Sequence, residues 1–302
     1  MKIYTVIVTY NAENWIEQCM QSLLQSSIQT EVVIVDNCST DRTISLIYEK
    51  FGSAKLISSK ENLGFGKANN IGIQHAIDYA ADYIFLLNQD AFVMPQCIEQ
   101  LVAVHKNYSE YGILSPMQYY TGKRLDFLFE EFCRRYTPEI LSSESLETIY
   151  ETSFINAAAW LLSVACVKKT GLFNPVFSHY GEDREYTSRV LYHGYKIGIV
   201  PEATAFHKRK QVSFLKNSPS FKTEVAKLYN IALAFASDVQ HNFFRQLIVS
   251  ELYILKNILR GLASFHFQSL AAGTLVSIKI VLNSFMIVRN RNNVKGEGCF
   301  LS

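Results

Sequence analysis

Short runs of apolar, β-branched side chains alternate with longer stretches whose apolar positions recur every three to four residues over the first two hundred residues. Residues 3–8 (IYTVIV) read as a buried strand and 12–26 as a helix. Residues 32–35 form a second strand ending in Asp36, and 40–50 a helix with Ser39 or Thr40 as its N-cap. A short strand at 55–58, a helix at 66–80 and a strand at 83–87 follow, the last running into Asn88-Gln89-Asp90. Pro95 stands in the first turn of the next helix. Strands that are apolar throughout, separated by amphipathic helices, predict a mostly parallel sheet covered on both faces.

Residues 110–150 mix charged and aromatic side chains without clean periodicity (FLFEEFCRRY) and predict a loop-rich insertion. Residues 153–163 resume a run of small and apolar residues containing Trp160. Gly181-Glu182-Asp183 precede a helix over 184–193, with Gly194 just past its end, and a strand at 197–200 leads to His207. Beyond about residue 210 the alternation gives way to long helical periodicity. Phe244, Leu247/Ile248, Leu252, Leu255, Leu259 and Leu262 share one helix face, with Gln246, Ser250, Asn257, Arg260 and Ser264 on the other. Residues 270–288 are apolar over about the ~20 residues that span a bilayer. Lys279, Asn283 and the small residues Gly273, Ser277 and Ser284 favour a packed or interfacial helix there. The pattern predicts an α/β unit over residues 1–209 and a helical region over 210–302.

Charge sharpens that division. The 302 residues carry a net charge of +2, but residues 1–206 sum to −7 and 207–302 to +9. A basic, apolar-faced tail suits peripheral contact with an anionic membrane, a homodimer interface, or helices that pack back on the first unit. It has no aromatic-interleaved basic patch, so nucleic acid is not an expected partner. Six cysteines occur without a C-x-x-C pair, which argues against a zinc ribbon or disulfide framework and favours a reducing compartment. Met1-Lys2 runs directly into the first strand with no small-residue cleavage site, so no signal peptide is expected.

In parallel sheets ligands bind beyond the carboxyl ends of the strands. Here those ends carry Thr9-Tyr10-Asn11, Asp36-Asn37 and Asn88-Gln89-Asp90. The loop Asn62-Leu63-Gly64-Phe65-Gly66 opens a helix bearing Lys67, Asn69 and Asn70, where glycine admits backbone close to a ligand and the helix start favours an anion. Each residue alone reads as a strand end or cap; together they point to a nucleotide site. No G-x-G-x-x-G follows the first strand, which argues against a dinucleotide oxidoreductase, and no glycine-rich basic signature supports a nucleotidyltransferase.

The ordered set VIVTYN, VDNCSTD, NLGFGKANNIG, LLNQD and GEDREYTSR, with the later His207, resembles the family 2 glycosyltransferases, in particular their bacterial rhamnosyltransferase-like branch. The resemblance covers about residues 1–210 and implies a GT-A fold: an α/β domain whose mixed, mostly parallel sheet is flanked by helices, here with a C-terminal helical extension. It implies that Thr9, Tyr10, Asn11 and Asp36 line the base and ribose of a nucleotide-diphosphate sugar, with Asn37, Gly64, Lys67, Asn69, Asn88 and Gln89 also on the donor side. The family's Asp-x-Asp motif stands here as Asn88-Gln89-Asp90, which leaves Asp90 and His207 as ligands for Mn²⁺ or Mg²⁺. Asp183 matches the position of the catalytic base, with Glu182 beside it, and direct displacement by the acceptor hydroxyl inverts the anomeric carbon. Glu185 stands where the family more often has Asp. Trp160, His179 and Tyr180 are acceptor-side candidates, Trp160 being open between a sugar platform and a core position. The implied acceptor is a growing, lipid-linked envelope glycan, with the protein at the inner face of the bacterial membrane. A dTDP-rhamnose-like donor, a UDP-hexose or UDP-N-acetylhexosamine donor, and a non-catalytic nucleotide-sugar binder remain as alternatives.

Overall fold

The structure, a computed structural model, describes residues 1–142, 147–208, 220–264 and 266–301. In chain order its elements are β1 (Ile3–Thr9), α1 (Ile16–Leu24), β2 (Glu31–Asp36), α2 (Thr43–Lys50), β3 (Lys55–Ser58), α3 (Phe65–Asp78), β4 (Tyr83–Asn88), β5 (Ala91–Val93) and α4 (Cys97–Asn107). They continue with β6 (Tyr111–Thr121), β7 (Arg124–Leu125), α5 (Phe127–Tyr136), β8 (Tyr150–Thr152), β9 (Ala159–Ser163), α6 (Val164–Thr170), α7 (Glu182–Tyr192) and β10 (Lys196–His207). Four helices close the chain: α8 (Phe221–Ser237), α9 (Phe243–Ala263), α10 (Gln268–Leu282) and α11 (Ser284–Asn293).

One mixed sheet runs β3-β2-β1-β4-β9-β6-β10-β5, with β7 beside β6 and β8 beside β10. The first four strands are mutually parallel, β9 is antiparallel to both β4 and β6, and β10 is parallel to β6. Hence β1, β2, β4, β6 and β10 all end at the same edge. Register brings Thr9 level with Asp36 and Val8 level with Asn88. The strands are apolar on both sides because both faces are covered. Ile3, Ile7, Ile34 and Phe85 pack with α1, α2 and α4, whereas Val6, Val33, Ile84 and Leu86 pack with α3, α6 and α7.

Two local expectations give way to the structure. The described residues of 110–150 are not loop-rich: β6 is an eleven-residue strand inside the sheet, and α5 is capped by Asp126, which accepts from the Phe129 N–H at 3.0 Å. The periodicity is broken because buried polar residues partner one another. Gln118 donates to Ser115 Oγ at 3.1 Å, and Asn156 donates to Gln118 Oε1 at 3.1 Å. Helix α2 starts three residues later than expected, with neither Ser39 nor Thr40 as its cap. Ser39 is committed to Asp36, and Asp41 instead accepts from the Thr43 N–H at 3.0 Å.

Helices α8 to α11 build their own apolar core from Leu228, Leu233, Ile254, Val276 and Ile280, joined by Phe177. The chain end then returns to the sheet unit, where Leu172 N–H donates to Cys299 O and Gly298 N–H to Lys169 O, both at 2.9 Å. The expected boundary at 209/210 lies outside the described residues. The apolar stripe of α9 points outward: Phe244, Ile248, Leu252, Leu255, Leu259 and Leu262 are all exposed. Gln246, Ser250 and Ile254 face the bundle, because Gln246 donates to Asp238 at 3.0 Å and Ser250 to Ala232 O at 2.9 Å. Residues 270–288 divide into α10 and α11, bent by 60° at Asn283, and no single helix among the described residues is long and apolar enough to cross a membrane.

Candidate active site

The strand ends are held by their own polar groups. Asp36 is fully buried. Its carboxylate accepts from Thr9 Oγ at 2.8 Å, from the Ser39 N–H at 2.9 Å and from the Ser39 hydroxyl at 2.6 Å. Asp36 therefore fixes the loop after β2 and the turn after β1 rather than offering an open acceptor. Tyr10 is exposed; Gln89 clamps its backbone, taking the N–H at 2.7 Å and donating to the carbonyl at 3.2 Å. Asn11 adopts a φ of +50°, which asparagine tolerates, and its side chain accepts from the Thr40 N–H at 2.9 Å.

The glycine loop is drawn to this edge by Asn37. Its amide accepts from the Leu63 N–H at 2.7 Å and donates to Asn62 Oδ1 at 2.9 Å and to Gly64 O at 3.3 Å. Gly64 has a φ of +82°, and a Cβ there would lie 1.9 Å from the Ser178 carbonyl oxygen. Only glycine lets the loop meet the 178–181 segment so closely. A Cβ on Gly66 would lie 3.6 Å from Glu182 Cβ, so the start of α3 touches the start of α7. Lys67 is exposed at that helix start, but Asn69 is not a ligand-facing group. It is buried and donates to Phe65 O within its own helix at 3.0 Å.

At the adjoining strand ends, β5 pairs with β10 so that Ala91 stands opposite His207. This brings His207 Nε2 to 3.2 Å from Asp90 Oδ1 and 3.5 Å from the Asn88 amide. On its other side, His207 Nδ1 lies 3.9 Å from Asp126 Oδ2. Asp126 is a residue that sequence reasoning missed: an aspartate at a helix start signals a cap and nothing more. Donor atoms 3.2 Å apart are spaced as two neighbouring ligands on one ion, each at about 2.1 Å, would be. A carboxylate and an imidazole also suit Mn²⁺ or Mg²⁺ with phosphate oxygens completing the shell. Among the described residues no group of three or more His, Cys, Asp or Glu is arranged to hold an ion by itself.

Glu182 and Asp183 open α7 after Gly181, whose φ of +91° turns the chain. Glu182 is 5% exposed, and its Oε2 has no hydrogen-bond partner. Burial, with the neighbouring Asp183 charge adding to it, pushes the Glu182 carboxyl up to about 8. Burial also raises Asp183, opposed by Arg184 and by backbone N–H groups that include Ala157. Asp183 accepts from the Arg184 N–H at 2.8 Å and keeps partial solvent access. Burial thus raises both carboxyls, and of the two it is Asp183 that keeps solvent access and has the Arg184 charge and backbone N–H groups favouring its charged form. The Ala157 contact also ties the pair to Asn88, because the next carbonyl, Ala158 O, accepts from the Asn88 N–H at 2.9 Å. A hydroxyl placed against Asp183 would face a base able to take its proton.

The remaining candidates divide. Trp160 lies in β9 with no exposed surface, its ring 6.3 Å from Phe173 and 6.2 Å from Tyr186, so it is a core residue and not a sugar platform. His179 and Tyr180 are exposed just before the acid pair, their rings 4.1 Å apart, on a segment held by Asn230, which donates to His179 O at 2.6 Å. Glu185 is fully buried in an ion pair with Arg189 at 2.9 Å, a structural place closed to solvent.

Residues 4–171 match the family model "Glycosyl transferase family 2". The dTDP-rhamnosyl transferase RfbF of Shigella flexneri is 25% identical over 236 residues, covering 77% of this chain and 78% of that protein. The poly(ribitol-phosphate) beta-N-acetylglucosaminyltransferase TarS of Staphylococcus aureus is 22% identical over 218 residues, covering 70% of this chain but only 36% of its own length. The crystal structure of TarS residues 1–349 with UDP-GlcNAc superposes with a TM-score of 0.60 at 16% identity, covering 98% of this chain and 90% of that one. GalNAc-T7 with UDP, GalNAc and Mn²⁺ also gives 0.60 at 16% identity, covering 78% of this chain and 48% of that one. At such identities these two likenesses establish the fold.

Proposed function

The chain belongs to glycosyl transferase family 2, and from that premise we propose that it transfers a sugar, with inversion, from a nucleotide-diphosphate donor to a hydroxyl of a growing, lipid-linked surface polysaccharide. The observation that carries this reading is the junction of the two halves of the site. Asn88, beside Asp90 and His207, donates its N–H to Ala158 O, and Asp183 accepts from the neighbouring Ala157 N–H, so both halves meet at one dipeptide.

In this reading Tyr10 and the Asn37-held glycine loop bound the nucleotide. Asp36 and Thr9 shape that pocket from behind, and Lys67 faces the phosphates. Asp90 and His207 would hold Mn²⁺ or Mg²⁺, which when bound offsets the charge that develops on the leaving diphosphate. Asp183 takes the proton from the acceptor hydroxyl. The acceptor oxygen bonds to the anomeric carbon while the bond to the diphosphate oxygen breaks, and that oxygen keeps the electron pair. Glu182, neutral at pH 7, leaves Asp183 the charged member of the pair. His179 and Tyr180 border the acceptor side. The catalytic unit is residues 1–209, and the helices of 210–302 attach it at the inner membrane face, where a lipid-linked acceptor is presented.

A dTDP-deoxyhexose donor of the rhamnose kind is favoured because the match to RfbF extends over three quarters of both chains. A UDP-N-acetylhexosamine is the second reading, favoured by the TarS likeness, which runs through the C-terminal helices. Thermal shifts with dTDP-rhamnose, UDP-GlcNAc and UDP-glucose, each with and without Mn²⁺, choose the donor. With that donor, Asp183→Asn is expected to bind normally and to lose roughly 10²–10⁴-fold in transfer. Turnover near that of the unaltered enzyme would remove the assigned mechanism.

A further inference from the structure

The C-terminal helices leave an apolar surface where a bundle would be expected to bury one. On α9, the side facing α10 is marked by Glu251, which accepts from Ser277, and by Ile254 and Ile258, which sit against Gly273. The side facing α8 is marked by Ser250, bonded to Ala232 O. At 100° per residue the exposed stripe of α9 falls on neither side but away from α8. The same construction on α10 places its exposed Leu270, Ile278 and Val281 away from α8 as well. The two helices therefore present one continuous apolar face. At the bend that follows, Leu282, Phe285 and Met286 are 77, 79 and 61% exposed.

Charge is arranged around this face with one sign. Arg245, Lys256 and Arg260 are exposed along the far flank of α9, and Lys279 is exposed on the opposite flank, on α10. Of the region's carboxylates, Glu224 accepts from Ser269 and Asp238 from Ser188 and Gln246, away from the face, while Glu251 lies in the α9–α10 seam and accepts from Ser277. The Arg245 flank also opens into a hollow of about 430 Å³ lined by Arg135, Arg184 and His241. There the Arg184 guanidinium is held 4.0 Å from the Phe154 ring and 4.9 Å from Phe235. None of Arg135, Arg184 and Arg245 is in an ion pair among the described residues, and Asp238 at the rim is already hydrogen-bonded three times.

We propose that the α9–α10 hairpin lies in the plane of an anionic phospholipid surface. Its apolar face enters the boundary between headgroups and acyl chains, and its cationic flanks meet lipid phosphates. This deepens the reading of a lipid-linked acceptor, on which it rests for its purpose. An in-plane hairpin suits helices that are apolar on one side yet too short or too bent to span. A second copy is a poorer occupant. It would bring the same cations against this face, and the one described carboxylate beside it, Glu251, is already bonded to Ser277.

The test is flotation of the full chain with vesicles of phosphatidylglycerol mixed with phosphatidylcholine, against phosphatidylcholine alone. The anionic vesicles are expected to carry the protein and to release it at high salt. The triple variant Ile248→Ser, Leu252→Ser, Leu259→Ser removes only exposed side chains and is expected to lower partitioning on the order of 10²-fold. Arg245→Gln with Lys256→Gln and Arg260→Gln is expected to lower binding to the anionic vesicles alone and to flatten the salt dependence. Equal flotation of the triple variant, or a dimer in solution that the triple variant dissolves, would overturn the proposal. Nucleotide-sugar thermal shifts measured on the same variants stay unchanged if only the attachment is misassigned. They vanish in the unaltered chain too if the transferase reading is at fault.

Discussion

Glu182→Gln isolates the most strained ionisation in the site. The side chain is 5% exposed, one carboxyl oxygen has no partner, and Asp183 adds like charge beside it. Folding therefore lifts this carboxyl from an ordinary 4.5 to about 8. Below 4.5 both folded and unfolded chains carry the proton, and the group is neutral to stability. Between 4.5 and about 8 only the folded chain holds it, so stability declines with each unit of rising pH by about 1.4 kcal/mol. Above that interval the loss is complete, and its full span is about 5 kcal/mol. Glutamine keeps the shape and cannot ionise. Urea denaturation of both proteins from about pH 5 to about pH 9, without donor or metal, should give similar stabilities at the acid end. At the alkaline end the variant should be more stable by about 5 kcal/mol. Stability curves that run parallel across that range would refute a buried, proton-holding Glu182, and with it the argument that leaves Asp183 as the charged base.

Two further outcomes follow from the geometry. Asp90→Ala and His207→Ala should each weaken Mn²⁺ support of nucleotide binding by at least about tenfold, read by calorimetric titration of UDP and dTDP at increasing Mn²⁺; an unaltered metal dependence in both would detach these residues from the ion. Gly64→Ala places a Cβ 1.9 Å from Ser178 O at a φ of +82°. It should cost about 2 kcal/mol or more in urea denaturation and weaken donor binding because the loop must withdraw; an unchanged denaturation midpoint would contradict the close approach.

Much of the first unit was legible in the chain itself. Apolar strands such as IYTVIV and VVIV can only be buried on both faces, so the parallel core and the edge where polar residues gather follow from pattern alone. The acid pair stood out for a similar local reason, a glycine followed by two carboxylates at a helix start, while the role expected of it came from the resemblance. Where polar residues partner one another inside the sheet, as Ser115, Gln118 and Asn156 do, periodicity fails, and β6 and α5 were unreadable.

Side-chain roles were another matter. Asp36 and Asn69 sit at the right edge of the sheet, yet one is spent on Thr9 and Ser39 and the other on its own helix. Trp160 belongs to the core, and Asp126 reaches His207 although some eighty residues separate them. Hydropathy also marked an apolar stripe on α9 without saying which way it faces. The structure turns it outward, because Gln246 and Ser250 find hydrogen-bond partners within the bundle that leucines could not use. Local pattern determines which segments must leave water. Which polar atom meets which, and which apolar face is left over, depends on contacts between residues far apart in the chain, and only the tertiary structure decides them.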